Sequence, residues 1–267
     1  MGIVRFEDET GAVHFGIEQG DGQAEVLAKD PLQGVERTGR IREIRALKAP
    51  VSPVNIFGIG LNYRRHAEET GLPLPAHPVI FMKATSAVIG PGEAILLPRC
   101  QMTGPEVDYE AELAVIIGRT ARNVPEKEAL SYVLGYTAAN DVSARRWQKQ
   151  GGGGQWVRGK SFDTFCPLGP RIAFPEEVGD PQGLPIRSRL GGEVMQESST
   201  RDMIFSVAEL ISRLSMDTTL LPGTVILTGT PEGVGFVRRP PRFLEAGDTI
   251  TVEVGGIGRL TNPVEDA

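Results

Sequence analysis

The sequence predicts a mostly β protein of the α+β class, and three observations support this prediction. Apolar residues recur with period 2 in short segments, most clearly as Leu113, Val115 and Ile117 within residues 108–118. Glycine and proline are abundant, at 33 and 20 residues, which favours short strands and turns over long helices. The pattern of a long helix is clear only twice. We therefore expect a β-rich barrel or sandwich rather than a doubly wound sheet.

The first 50 residues predict a small N-terminal β-rich module. Three strand patterns are separated by turn residues at 9–11 and 20–22, as in a β-meander. Two prolines in the segment Ala49–Pro53 indicate a boundary, and the module contains no evident catalytic residue. We expect the chain to divide into residues 1–50 and 51–267. The strands of the module are predicted at Ile3–Glu7, Ala12–Glu18 and Glu25–Ala28.

The larger part of the chain is predicted to combine strands with few helices. A strand with a buried pattern opens it at Val54–Gly60, and a short helical segment containing His66 and Glu69 follows. The second of the two long helices would be capped by Ser199 or Thr200. The remaining strands are predicted at Val79–Lys83, Ala94–Leu97, Tyr136–Ala139, Thr224–Thr228 and Thr249–Val254, and the long helices at Glu126–Leu134 and Asp202–Leu214.

The overall composition argues against several classes of protein. The formal net charge of −6 and the isoelectric point near 5.3 disfavour a surface for nucleic acid or anionic membranes. Cys100 and Cys166 are too few for a disulfide framework and lack the spacing of a thiolate zinc site. Residues 1–20 hold no apolar core of signal-peptide length, and no apolar run approaches the roughly 18 residues of a membrane span. We expect a cytoplasmic protein with neither nucleic-acid nor membrane partners.

Three carboxylates are the strongest candidates for a metal site. Period 2 places Glu110 and Glu112 on one face of the strand predicted in residues 108–118, with Cα atoms roughly 6.5–7 Å apart. Two buried carboxylates would repel each other unless a cation lay between them. Asp141 follows the strand at Tyr136–Ala139 and adds a third oxygen donor, a set that suits Mg²⁺, Mn²⁺ or Ca²⁺. The alternative is a solvated strand face at the end of a sheet.

His66 and Glu69 are candidates for acid–base chemistry. Their i, i+3 spacing places both side chains on the same face of a helical turn. A carboxylate beside an imidazole orients the ring and raises its basicity, which suits the activation of water. The alternative is a surface pair in a turn rich in arginine and glutamate.

A phosphate-binding motif is matched in letters only. Residues 154–161 satisfy GxxxxGK[ST], which requires a helix after the lysine. Pro167 and Pro170 oppose a long helix there, and bulky Trp156 and Val157 favour a strand. Nucleotide hydrolysis is therefore disfavoured, and Lys160 is predicted as a single cation after a strand. Trp147 and Trp156, which flank the glycine run, are expected in the core, and the alternative is that they line the pocket.

Five segments together resemble the fumarylacetoacetate hydrolase (FAH) family, over roughly residues 52–262. This resemblance implies a mixed β-sandwich roll of the FAH C-terminal type with few helices, and a homodimer. It assigns Glu110, Glu112 and Asp141 to a metal ion, and His66, Glu69 and Lys160 to catalysis. It also implies that Arg145, Gln148 and Thr230 contact the substrate. The segments are residues 58–69, 108–113, 135–145, 159–163 and 227–235.

The resemblance implies a small 2-oxo acid as substrate and Mg²⁺ or Mn²⁺ as cofactor, with Ca²⁺ as a substitute in crystals. Within such a family the expected reaction is C–C cleavage through a metal-stabilised enolate, either acylpyruvate hydrolysis or oxaloacetate-type decarboxylation. One alternative is isomerisation of 2-hydroxyhepta-2,4-diene-1,7-dioate or 5-carboxymethyl-2-hydroxymuconate in aromatic catabolism. An alternative of another class is a catalytically silent metal-binding dimer. Gly151–Gly154 is predicted as a mobile loop near the site.

Overall fold

The computed structural model of the chain describes residues 2–100, 106–151 and 153–267. Gly152, part of the predicted loop Gly151–Gly154, lies outside these ranges. The strands are β1 (Gly2–Glu7), β2 (Val13–Gly20), β3 (Gln23–Leu27), β4 (Arg37–Glu43), β5 (Ala46–Lys48), β6 (Ile56–Gly60), β7 (Val79–Lys83), β8 (Val88–Ile89), β9 (Ile95–Leu97), β10 (Val107–Asp108), β11 (Ala111–Ile117), β12 (Val133–Asn140), β13 (Ser143–Ala144), β14 (Cys166–Ala173), β15 (Pro185–Leu190), β16 (Glu193–Ser199), β17 (Val225–Leu227), β18 (Thr249–Val254) and β19 (Gly258–Asp266).

The helices are short, and none within the described ranges is long and apolar enough to cross a membrane. The α-helices are α1 (Arg64–Thr70), α2 (Arg145–Lys149), α3 (Trp156–Lys160), α4 (Pro175–Val178) and α5 (Val207–Leu214). The 3-10 helices span Pro31–Gln33, Thr85–Ala87, Glu126–Tyr132, Pro181–Gly183, Thr200–Asp202 and Gly235–Val237.

The strands form two large mixed sheets. The first has the order β4-β3-β2-β1-β14-β12-β11-β17-β6-β7, with β5 paired to β1 and β8 to β14. The second has the order β16-β15-β18-β19-β9, and β10 pairs with β13 in a separate ribbon. Parallel pairs such as β17 with β6 occur beside antiparallel pairs such as β11 with β12. The described strands do not close into a barrel, and the prediction of a mostly β fold with mixed sheets is confirmed.

Strand β11 lies inside the first sheet and is buried on both faces. Leu113 and Val115 point into a core shared with the second sheet and α5. Ala114 and Ile116 point into the core on the opposite face. Because alternate residues of a strand share a face, Glu112 lies on the same side as Ala114. A carboxylate therefore enters an apolar core from the middle of the sheet.

The N-terminal strands continue the first sheet instead of forming a separate one. Gly2 of β1 pairs with Ala173 of β14, and Ile3 pairs with Ile172. Strands β2, β3 and β4 follow outward from β1. The division of the chain at residue 50 stays a prediction.

The predicted helix at Asp202–Leu214 is wrong at its start. A 3-10 turn at Thr200–Asp202 precedes α5, which begins only at Val207. The cap is Ser206, whose Oγ accepts a hydrogen bond from the Glu209 N–H. A serine followed three residues later by glutamate is a stronger start signal than Ser199 or Thr200. Ser199 caps only the 3-10 turn.

The predicted strand around Trp156 and Val157 is a helical turn, α3. The Gly159 N–H donates to the Gln155 carbonyl oxygen at 2.9 Å. A Cβ on Gly159 would lie 2.7 Å from the backbone nitrogen of Gln148, so glycine permits α3 to pack closely against α2. Local strand preference is overridden here by the packing of two short helices.

Candidate metal centre

Strands β11 and β12 bring the three predicted carboxylates together. Glu110 directly precedes β11, Glu112 lies on it, and Asp141 directly follows β12. The antiparallel register pairs Glu112 with Ala139, and the Asp141 N–H donates to the Glu110 carbonyl oxygen at 2.9 Å. One carboxylate oxygen from each residue lies within 4.8 Å of the other two. All three side chains are buried.

Two of these carboxylates have cationic partners. Lys160 Nζ lies 2.7 Å from Glu110 Oε2 and 2.6 Å from Asp141 Oδ2. Arg145 Nη1 lies 2.7 Å from Glu110 Oε1. Burial raises the pKa of the Glu110 carboxyl, but Lys160 and then Arg145 outweigh it and hold that pKa well below its usual range. Burial opposes the charge of Lys160 as well, yet Asp141 and Glu110 raise its pKa, so the ammonium stays charged.

Glu112 has a different environment. Its Oε2 accepts a hydrogen bond from the Gly229 N–H at 2.7 Å, and among the described residues no cation lies within ion-pair distance. Gly229 has a φ of 98°, a conformation that favours glycine. Burial, and then the charges of Asp141 and Glu110, raise the pKa of Glu112 well above its usual range. A buried carboxylate without a cation, beside two further oxygen donors, fits a site for a hard divalent metal ion.

Lys83 belongs to this cluster, and sequence reasoning misses it. Its Nζ lies 2.5 Å from Asp141 Oδ1 and 3.2 Å from the Val142 carbonyl oxygen. Both oxygens of Asp141 therefore contact an ammonium group, one from Lys83 and one from Lys160. The available signal was the period of β7, which places Lys83 on the same face as buried Phe81. A lysine at the end of a strand usually faces water, which hides this signal.

The His66–Glu69 pair lies on α1 and faces the same cavity as Glu110. His66 Nδ1 is 3.2 Å from Glu69 Oε2, and the Gly233 N–H donates to Glu69 Oε1 at 2.9 Å. The cavity has a volume of about 410 Å³, and its walls include His66, Glu69, Glu110 and Lys160. An acid–base pair and the edge of the carboxylate cluster thus share one open space.

The residues predicted to contact substrate also line this cavity. Arg145 Nη1 donates to Gln148 Oε1 at 3.0 Å. The Thr230 hydroxyl donates to the Ala111 carbonyl oxygen at 3.0 Å and accepts from Gln196 Nε2 at 2.7 Å. Buried Gln196, which sequence reasoning misses, therefore holds Thr230 from behind. Its position on β16 gives no local sequence signal, because Gln196 and Thr230 are far apart in the sequence.

Two further sequence interpretations have clear outcomes. Trp147 packs against the apolar core, but Trp156 lines the cavity, so the core prediction is wrong for Trp156.

In the GxxxxGK[ST] segment, α3 ends at Lys160 and the next element is strand β14. No helix N-terminus therefore follows Lys160 in this described stretch, and its side chain turns toward carboxylates.

The fold and this site define an enzyme in which a buried acidic cluster adjoins an acid–base pair. Residues 55–265 match the family model of the fumarylacetoacetate (FAA) hydrolase C-terminal domain. The chain belongs to this family, as the sequence resemblance indicated.

Curated relatives and solved structures agree with this assignment. The chain is 39% identical over 290 aligned positions to the mitochondrial oxaloacetate tautomerase FAHD2A of Bos taurus, covering 99% of this chain and 91% of the relative. It is 46% identical to the mitochondrial oxaloacetate tautomerase fahd2 of Xenopus laevis, covering 82% and 68%. The crystal structure of 5-carboxymethyl-2-hydroxymuconate delta-isomerase from Mycobacterium smegmatis is similar with a TM-score of 0.87 at 40% identity, covering 100% of both chains. The 2-hydroxyhepta-2,4-diene-1,7-dioate isomerase from Mycobacterium marinum has a TM-score of 0.86 at 38% identity, covering 100% of this chain and 98% of that one.

Proposed function

We propose that the protein catalyses proton transfer in a small 2-oxo acid, the interconversion of keto and enol forms, with oxaloacetate as the first substrate to test. The observation that carries this proposal is the shared cavity of the His66–Glu69 pair and Glu110. A base that faces the edge of a cationic and metal-binding cluster can remove a proton where the resulting negative charge is stabilised. The relatives and solved structures named above are two oxaloacetate tautomerases and two isomerases.

The carboxylate cluster would supply the electrophilic half of the site. Held by Glu110, Glu112 and Asp141, Mg²⁺ or Mn²⁺ would act as a Lewis acid toward the negative charge of an enolate. Lys160 stays an ammonium group and contributes a fixed positive charge at the cavity floor. Ion pairs with Glu110 and Asp141 hold the Lys160 Nζ in one position.

The His66–Glu69 pair would move the proton. Glu69 faces His66 Nδ1, which leaves Nε2 as the nitrogen available to a substrate. Nε2 would accept the proton from the carbon next to the keto group, and a proton would then be returned to the enolate oxygen. No carbon–carbon bond is broken in this reaction; the bond next to the carbonyl carbon becomes a double bond as the carbonyl oxygen becomes a hydroxyl. The Gly233 N–H fixes the second oxygen of Glu69, so the pair keeps its orientation.

C–C cleavage, the reaction expected first from the sequence, is the second candidate. The same pair could deprotonate a water molecule for acylpyruvate hydrolysis, and loss of CO₂ from oxaloacetate would need no water. The isomerisation of unsaturated dioates in aromatic catabolism is a variant of the first proposal, since it also transfers a proton between carbons. A catalytically silent dimer is disfavoured, because the family relatives are named as enzymes.

The test separates these reactions by their products. Protein stripped with a chelator is mixed with oxaloacetate or acetylpyruvate, with and without Mg²⁺ or Mn²⁺. Tautomerisation changes enol absorbance without forming pyruvate, decarboxylation forms pyruvate and CO₂, and hydrolysis of acetylpyruvate forms acetate and pyruvate. Metal-dependent loss of the enol signal without pyruvate supports the proposal. Pyruvate formed at the same rate as the enol disappears would replace it with the second candidate.

We also propose that the chain forms a homodimer through the outer face of β7. This strand ends the first sheet, and its Ile80 and Met82 are 50% and 40% exposed. An edge strand with exposed apolar side chains is a surface that natural proteins usually cover. Light scattering should give twice the chain mass, and Ile80→Lys should shift it toward the monomer. A monomeric wild-type protein would overturn this assignment.

A cytoplasmic location is likewise kept as a proposal. It rests on the composition of the chain, whereas the vertebrate relatives named above are described as mitochondrial. Cell fractionation with compartment markers would decide between the two.

A further inference from the structure

The cations deep in the cavity are neutralised by the protein itself, but two cations at its edge are not. Arg145 and Lys160 both contact Glu110. Lys149 and Arg239 line the same cavity, and within the described residues neither has a carboxylate within 4.0 Å. The cavity therefore carries positive charge at a place where the chain offers no counter-charge.

The other acid of the cavity wall is already engaged. Glu69 contacts His66 with one oxygen and accepts the Gly233 N–H with the other. It therefore has no oxygen left without a protein partner. Both acids that line the cavity, Glu69 and Glu110, are therefore paired within the protein. An anion that enters the cavity would find Lys149 and Arg239 available to it.

The position of Lys149 suits one end of an elongated ligand. It lies four residues after Arg145 on α2, which corresponds to roughly 6 Å along a helix axis. Arg145 is buried and Lys149 is exposed, so the helix runs from the cavity floor toward its mouth. Lys149 Nζ and the Arg145 guanidinium carbon lie 3.5 and 4.5 Å from the centroid of the Phe236 ring. Burial, and then Arg145, lower the pKa of Lys149, and a nearby anion would offset both effects.

Arg239 reaches the cavity from a different segment. It follows the 3-10 helix Gly235–Val237, whose Phe236 and Val237 also line the cavity. Its Nη1 donates weakly to the Arg238 carbonyl oxygen, at 3.4 Å, and the side chain is otherwise exposed. A planar guanidinium has several further donors for a carboxylate.

We propose that Lys149 and Arg239 bind the distal carboxylate of the substrate, and so select dicarboxylic over monocarboxylic 2-oxo acids. This inference rests on the proposed function, because it takes the 2-oxo-carboxylate end to lie beside Glu110 and Lys160. A four- or five-carbon diacid would then extend its second carboxylate toward the cavity mouth. An acid that ends in a methyl group leaves both cations unpaired.

The test compares two acids of equal length, 2-oxoglutarate and 2-oxopentanoate, which differ only in a terminal carboxylate or methyl group. Their binding to Mg²⁺-loaded protein is measured by calorimetry. Wild-type protein should bind 2-oxoglutarate at least about tenfold more tightly, since a charged hydrogen bond contributes about that factor. Lys149→Gln and Arg239→Gln should each lower the affinity for 2-oxoglutarate roughly tenfold. The affinity for 2-oxopentanoate should change by less than about twofold.

Matched variants test whether the effect is local. Lys149→Arg should retain the preference, because it keeps the charge at the same place. Lys127→Gln and Arg122→Gln remove exposed charges from residues that do not line the cavity, and should leave both affinities unchanged. Equal binding of the two acids by wild-type protein, or a preference that survives in the Lys149→Gln/Arg239→Gln double variant, overturns the inference.

Turnover of oxaloacetate, followed in parallel, separates this inference from the proposed function. A diacid preference without turnover would overturn the proposed function and leave the binding role intact. Turnover without a diacid preference would overturn the binding role and leave the proposed function intact. Where turnover is present, Lys149→Gln and Arg239→Gln should raise KM and leave kcat nearly unchanged, because neither side chain faces the carbon that loses its proton.

Discussion

Lys83 Nζ lies 2.5 Å from Oδ1 of Asp141, and both side chains are fully buried. The second oxygen of Asp141 contacts Lys160 at 2.6 Å. Asp141 is therefore held by ammonium groups on two sides. Removal of either lysine leaves one buried oxygen of Asp141 without its donor, and such a loss is more damaging than the loss of a surface ion pair.

Lys83→Met should destabilise the metal-free protein. Lys160 still balances the charge of Asp141, but the buried Asp141 Oδ1 and Val142 carbonyl oxygen lose their donor, and an unsatisfied buried acceptor costs about 1–3 kcal/mol. The free energy of unfolding, from urea titration, should fall by about that amount. Lys127→Met, at a lysine that is 82% exposed, is the control and should change it by less than about 0.5 kcal/mol. A similar small change for Lys83→Met would contradict the prediction.

Glu112→Gln should remove metal binding without unfolding the protein. The substitution keeps the side-chain shape and the acceptor for the Gly229 N–H, but deletes the one of the three clustered carboxylates that has no cationic partner among the described residues. We expect Mg²⁺ affinity to fall by more than about 100-fold, beyond the usual effect of an outer-shell change. Calorimetric titration measures this directly, and Glu128→Gln at the surface serves as the control. Retained affinity would mean that the ion binds elsewhere.

Metal affinity should rise with pH. Burial, then Asp141 and Glu110, raise the pKa of Glu112 above the ordinary value of 4.5. Between these two pKa values the folded protein binds more protons than the unfolded chain, so the Glu112 contribution makes metal-free stability fall as pH rises. The limiting slope for one proton is about 1.4 kcal/mol per pH unit.

A divalent ion competes with that proton, so Mg²⁺ binding should release it. Calorimetry in two buffers of different ionisation enthalpy counts the protons released. Wild-type protein should release a fraction of a proton on Mg²⁺ binding, and that fraction should decline as pH rises. A Mg²⁺ affinity that does not change over about pH 5–8, the range in which proteins are usually most stable, would contradict the role of Glu112.

His66→Ala should reduce kcat for oxaloacetate tautomerisation by about 10²–10⁴-fold, the usual contribution of a positioned acid–base group. Mg²⁺ affinity should stay within about twofold, because His66 lies outside the carboxylate cluster. His77→Ala, at an exposed histidine that contacts Arg213, is the matched control. Equal kcat values for the two variants would exclude His66 from proton transfer.

Gly159→Ala should disturb the cluster without touching a charge. The new Cβ would lie 2.7 Å from the Gln148 nitrogen and 3.0 Å from the Ala144 oxygen, so α3 must move away from α2 and carry Lys160 with it. We expect a loss of about 1–3 kcal/mol in unfolding free energy. Gly183→Ala is the control, since its Cβ would meet only the Arg201 side chain at 3.8 Å. Equal stability of both variants would show that the helices can separate freely.

The carboxylate cluster could be predicted because Glu112 lies on a strand and Glu110 and Asp141 lie directly beside strands. Period 2 alone placed Glu110 and Glu112 on one face, and the end of a strand located Asp141. Lys83 could not be found in this way, because its contact with Asp141 spans 58 residues of sequence and depends on how β7 meets the sheet. The contact of Gln196 with Thr230 also joins distant segments, 34 residues apart in the sequence.

The two errors in secondary structure have different causes. At Trp156 and Val157 local preference favoured a strand, whereas the packing of α3 against α2 and of Trp156 against Phe81 required a helical turn. At α5 the predicted start lay too early, because a 3-10 turn and a short extended segment precede the real cap at Ser206. At Trp156 tertiary contacts decide the backbone, whereas at α5 the local capping signal of Ser206 and Glu209 marks the start.

The two lysines on Asp141 change how the protein would acquire its ion. Ammonium groups already hold two of the three carboxylates in place, so the folded chain is assembled before any metal arrives. The ion would then enter a folded protein by way of the cavity that Glu110 lines, as a step separate from synthesis. A cell could therefore replace one divalent ion by another during the lifetime of a single protein molecule, according to which ion is available.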